Sequence, residues 1–179
     1  MKVFITALML WISNQTGYSI PEHPTIEYLT KHEIRAYAYG CNDKSIPEGN
    51  EDICAAQEYW DLDEWSGVKS PIALYNHEKK LILLDKNFNI ETIHDQSVIL
   101  HELVHHLQSY NGKDFEKKCR GNLEKEAYDL HNKWLKEKYK TTIYDVIGIN
   151  ELFIILITSC SNLYHTPPDP EYQNQYLSK

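Results

Sequence analysis

The run VILHELVHHLQSYNG, Val98 to Gly112, places three histidines and a glutamate within six positions of an apolar, helix-patterned stretch. Histidine is a mediocre helix former, and a merely solvated helix face would use Lys, Glu or Gln. At about 100° per residue, Ile99, Leu100, Leu103, Val104, Leu107 and Tyr110 fall within an arc of about 140°. His101, His105 and Gln108 lie opposite, with Glu102 and His106 beside them. No Lys or Arg occurs from Asn87 to Gly112, although the chain has eighteen. A cation site would exclude them. The spacing H-E-x-x-H stands two imidazoles one turn apart, where both can offer a nitrogen to one zinc ion (Zn2+). Glu102, beside the first histidine, can then take a proton from a metal-bound water.

A catalytic zinc ordinarily takes three protein ligands. His106 points about 100° away from His105 and reads as a helix-surface or supporting histidine. The better third ligand lies downstream, in NLEKEAYDLHNKWL. Eighteen residues separate His105 from Glu124, enough to turn at Asn111-Gly112 and return on a second helix. Glu126 competes, two residues later. On that helix Leu123, Ala127, Tyr128, Leu130, Trp134 and Leu135 form an apolar arc of about 160° that includes Glu124. Glu126 falls among Lys125, Asp129, Lys133 and Lys136. A carboxylate placed in a buried arc requires a cation, which favours Glu124.

HELVHHLQ followed by EKEAY resembles the gluzincin branch of the zincin metallopeptidases, over Lys80 to about Tyr139. The resemblance implies zinc held by His101, His105 and Glu124, with Glu102 as general base. It also implies an edge strand against which a peptide substrate pairs, and a Tyr or His that stabilises the transition state. Tyr110, Tyr128, His131, Tyr139 and Tyr144 are the candidates for that last role. Several gluzincins show E-x-x-A-D, in which the Asp supports a ligand histidine. Here Glu124 and Ala127 match, but Tyr128 stands in place of the Asp; Asp129 or Glu126 could substitute.

The rest of the chain sets the context. MKVFITALMLWISNQTGYS carries Lys2 and then a ten-residue run, Val3 to Ile12, that is apolar except for Thr6. That pattern predicts a signal peptide over 1–19, with a buried N-terminal helix or strand as the alternative. Export to a bacterial periplasm or the extracellular space follows, with no membrane anchor after signal removal. Four cysteines suit that compartment. Cys41–Cys54 would close a polar Pro/Gly loop, leaving Cys119–Cys160. The net charge of −8, without a basic stripe, argues against nucleic acid as a partner.

Periodicity predicts a helix over Thr25–Tyr39 and a β-hairpin of PIALYN and KLILLD. The site helix should start at Asp95 or Ser97 and end at Tyr110. Further helices are expected over Leu123–Tyr139 and Tyr144–Cys160, the last a buried core helix. The expected fold is therefore α+β: a small zincin-like domain over 20–160, its hairpin packed on the HExxH helix, with an irregular tail over 161–179. The expected function is zinc-dependent hydrolysis of peptide bonds by an exported, monomeric enzyme. The competing expectations are a non-catalytic binding or assembly protein that retains the metal, and a disulfide-stapled protein with no metal.

Overall fold

The computed structural model describes residues 1–38, 72–113 and 119–160. Their element order is α1 (Lys2–Thr16), β1 (Thr25–Leu29), α2 (Lys31–Ala38), β2 (Ala73–Asn76) and β3 (Leu81–Asp85), then α3 (Ile93–Tyr110), α4 (Arg120–Tyr139), α5 (Ile143–Ile147) and α6 (Glu151–Thr158). This is a mixed α+β arrangement. The expected loop disulfide Cys41–Cys54, the segment Ala55–Trp65 and the tail 161–179 lie outside the described residues.

The expected hairpin of PIALYN and KLILLD forms, and β3 is its inner arm. β3 pairs antiparallel with β2 and parallel with β1, giving the order β1-β3-β2. All five residues of β3 are buried because both faces of the sheet are covered. Ile82 and Leu84 join the main core with Ala73, Tyr75 and the apolar side of α3. Leu81 and Leu83 point the other way, against Ile34 of α2. The layers are thus α2, the sheet, and then α3 with α4 and α1.

The helix expected over Thr25–Tyr39 is corrected to a strand followed by a helix. Glu33 accepts hydrogen bonds from the Thr30 backbone N–H (2.7 Å) and hydroxyl (2.8 Å), while Thr30 Oγ1 accepts from Glu33 N (3.2 Å). This reciprocal cap starts the helix after Thr30 and leaves TIEYL free to pair with β3. The helix expected over Tyr144–Cys160 is likewise two. Gly148, at φ 73°, ends α5, and the Asn150 side chain caps α6 by accepting from Phe153 N at 2.7 Å. Nor is α6 a buried core helix: none of its residues is buried, and Leu152, Ile155 and Leu156 are exposed.

α6 is held against α4 at one end. Cys119 and Cys160 are joined by a disulfide, as the sequence predicts, with Cα atoms 5.8 Å apart. One residue into α4, Gly121 meets the backbone of α6 closely. A Cβ there would lie 2.7 Å from the carbonyl oxygens of both Thr158 and Ser159. Backbone cannot withdraw as a side-chain tip can, so Gly121→Ala is expected to destabilise the protein by about 1–3 kcal/mol. Equilibrium urea unfolding under non-reducing conditions measures this.

The apolar N-terminal run forms α1, whose Ile5, Leu8, Met9 and Ile12 are buried in the main core. Trp11 Nε1 donates to Glu137 of α4 at 3.1 Å. The segment expected to leave on export therefore fills part of the core here. Among the described residues, no helix is long and apolar enough to cross a membrane.

Candidate metal centre

Thr92 caps α3 by accepting from Asp95 N at 3.1 Å, and the helix ends at Asn111 and Gly112 as expected. Its apolar side faces the core. Its polar side is buried as well, since β2 and α4 close over it: His101, Glu102, His105, His106 and Gln108 all have little or no exposed surface. A helix wrapped on every side explains why the run carries imidazoles and a carboxylate and no long cation.

His101 and His105 project toward α4 and meet Glu124. Their Nε2 atoms are 3.2 Å apart, and Glu124 Oε2 lies 3.4 Å from each. Three donors placed tetrahedrally at zinc's usual 2.0–2.1 Å would be separated by about 3.3–3.4 Å. The triangle thus has the size a single zinc ion requires, and two nitrogens with one carboxylate oxygen are donors that suit it. Glu126, the competitor, is absent from this cluster. It is not on a solvated face either; it packs against α3, where it accepts from Gln108 Nε2 at 2.9 Å and from the Tyr18 hydroxyl at 2.8 Å.

Electrostatics couple the three groups. Burial disfavours a charged His105 ring, but the charge and hydrogen bond of Glu124, with Glu102 adding to them, push it up to about 9. Burial would also raise the Glu124 carboxyl, yet His105 and His101 hold it well below the usual carboxylate range. Without metal, the pair therefore stabilises the fold by proton linkage. The His105 contribution is complete below its ordinary 6.5 and is lost as pH rises through about 9. The Glu124 contribution is complete above its ordinary 4.5 and is lost as pH falls through its lowered value. In chelator-treated protein the urea midpoint attributable to this pair should peak between about pH 4.5 and 6.5 and decline toward pH 10. Glu124→Gln should flatten that decline.

Glu102 is held differently. Its Oε2 accepts the backbone N–H of Tyr75, on β2, which is an edge strand among the described residues, at 2.7 Å. The triad borders a cavity of about 170 Å³ whose lining also includes Glu102, Tyr75, His77, Arg120 and Tyr128. Of the candidates for a transition-state donor, only Tyr128 lines this cavity. Its ring lies 4.5 Å from that of His101, and burial, with Glu124 and Glu102, pushes its hydroxyl up, so it stays protonated. Tyr110 and Tyr144 are exposed, Tyr139 donates to Gln96, and His131 is buried behind His101. Arg120 Nε stands 3.7 Å from Glu124 Oε1.

His106 is a strap, not a ligand. Its Nε2 is 2.9 Å from the Glu22 carbonyl and its Nδ1 3.3 Å from the Tyr75 hydroxyl, which ties the segment after α1 to the sheet. Among the polar residues lining the cavity, Tyr75, His77 and Arg120 were missed in the sequence. His77 sits in the hairpin turn, which reads as a plain polar turn, although an additional histidine beside the strand pair was the available signal. Tyr75 acts through its backbone N–H, for which no sequence signal exists.

These observations define an α+β domain with a His-His-Glu cluster, its histidines buried and its glutamate partly exposed, bordering a small cavity. A family model described as a domain of unknown function, DUF6647, matches residues 50–168, more than half of the chain. The protein belongs to that family. No curated protein and no solved structure matches the chain.

Proposed function

We propose that this protein is an exported, zinc-dependent metallopeptidase of zincin-like fold. The observation that carries the reading is the convergence of His101, His105 and Glu124 at ligand spacing, with Glu102 lining the same cavity. Zinc held there would supply Lewis acidity toward a peptide carbonyl and acidify a water molecule. Glu102 would act as general base, its carboxylate accepting the proton of an attacking water and passing it to the leaving amine. Tyr75 N–H holds one oxygen of Glu102, which keeps the carboxylate aimed into the cavity. Tyr128, kept protonated by its surroundings, can donate a hydrogen bond to an oxygen that gains negative charge. Strand β2, at the sheet edge among the described residues, is the element against which an extended peptide would lie. The proposed protein acts as a monomer on peptide or protein substrates.

The test is metal analysis of protein purified without chelator, followed by digestion of a peptide library. Stoichiometric zinc and cleavage that disappears in Glu102→Gln support the reading; no metal, or no cleavage by zinc-loaded protein, overturns it. One observation favours a second reading, a metal-retaining binding protein without turnover. His101 Nδ1 has no hydrogen-bond partner among the described residues, where the resembling family often supplies a carboxylate. Zinc without cleavage would select that reading.

Export is tested separately. Processing should place the mature N-terminus between Thr16 and Ile20, which intact-mass measurement of protein expressed with its native N-terminus determines. Met1 retained on protein in the cytoplasm would overturn it and leave α1 as a permanent part of the core.

A further inference from the structure

We propose that Gln108 is a positioning residue that fixes the ring tautomer of His105, so that Nε2 is the nitrogen available to a metal. The proposal rests on the metal-site reading above. Gln108 is fully buried. Its Nε2 lies 3.1 Å from the Leu123 carbonyl oxygen and 2.9 Å from Glu126 Oε2. A carbonyl and a carboxylate only accept hydrogen bonds, so the amide nitrogen must face them. The amide oxygen must then face the other way, and there it meets His105 Nδ1 at 2.9 Å.

An amide oxygen cannot donate, so Nδ1 must carry a proton; in the neutral ring, the form that binds a metal, Nε2 then holds the lone pair. His105 Nε2 is the atom that faces His101 Nε2 and Glu124. If the amide of Gln108 were reversed, its NH2 would face Nδ1, drive the proton to Nε2 and remove the lone pair a metal needs. Leu123 and Glu126 prevent that reversal. Glu126 is itself held through both oxygens by the Tyr18 hydroxyl, at 2.8 and 2.9 Å. The support thus reaches His105 from α4, through Leu123 and Glu126. Outer partners of this kind commonly contribute about 10–100-fold to metal affinity.

The experiment uses the full chain with Zn2+ alone as probe, read by competition with a chromophoric chelator and by 15N imidazole NMR of the zinc-loaded protein. The parent should show zinc on Nε2 of His105 and a slowly exchanging proton on Nδ1. Gln108→Leu, which keeps volume and removes the acceptor, should weaken zinc binding by about 10–100-fold. In Gln108→Leu the His105 Nδ1 proton should also exchange faster with solvent, which a merely space-filling role for Gln108 would not predict. Zinc on His105 Nδ1 in the parent, or undiminished binding by Gln108→Leu, overturns the proposal. The NMR assignment on the parent decides even if Gln108→Leu does not fold. A parent that takes up no zinc overturns the metal-site reading as well, whereas zinc uptake indifferent to Gln108 overturns only this one.

Discussion

Glu102→Gln is expected to bind zinc as the parent does and to lose peptide-cleaving activity by about 10²–10⁴-fold, the usual contribution of a positioned general base. The substitution isolates proton transfer unusually well. The amide oxygen of glutamine can still accept the Tyr75 N–H that Glu102 Oε2 now accepts, so the side chain should stay in place. What disappears is a basic oxygen able to take a proton. Comparing kcat with zinc content for the two proteins gives the answer. Unchanged turnover would remove Glu102 from the mechanism, and lost metal would make it a ligand.

Glu124→Gln has the second large expected effect. It should weaken zinc binding by more than about 100-fold, beyond the range ordinary for an outer partner. Glu124 is the only carboxylate within ligand distance of both imidazole nitrogens among the described residues, and its charge is what His105 is paired with. Glu126→Gln should change affinity little, since a glutamine there can still accept from Gln108. Chelator competition on both variants compares them directly. If the two affinities came out reversed, Glu126 would be the ligand and the register of α4 relative to α3 would be wrong.

Much of this site can be read in the chain because a helix converts sequence spacing into direction. His101 and His105 are four residues apart, so their meeting requires nothing but helical geometry. Glu124 required more: a turn of suitable length and an apolar pattern that included one carboxylate and left out its neighbour. The role of Gln108 was out of reach. It depends on how far α4 slides along α3, and the polar face that holds it gave no hint that α4 covers it. The errors in fold have local causes. Thr30 and Glu33 spell a capping box inside a stretch whose periodicity suggested one long helix. Gly148 and Asn150 spell a stop and a start inside an apolar run that suggested another. In both places the end signals prevailed over the hydrophobic pattern, because capping side chains satisfy the helix termini that a break creates.

The central position of β3 bears on how the chain reaches this state. Its pairing with β2 is local, closed by the turn from His77 to Lys80, and can form within microseconds. Its pairing with β1 joins Thr25 to Leu81 and cannot form until the long intervening stretch has been looped out. Until β1 docks, one edge of the apolar run Leu81–Leu84 in β3 lies open to any other chain that can offer a strand. Refolding should therefore be slower, and more sensitive to protein concentration, than the helical content alone would suggest.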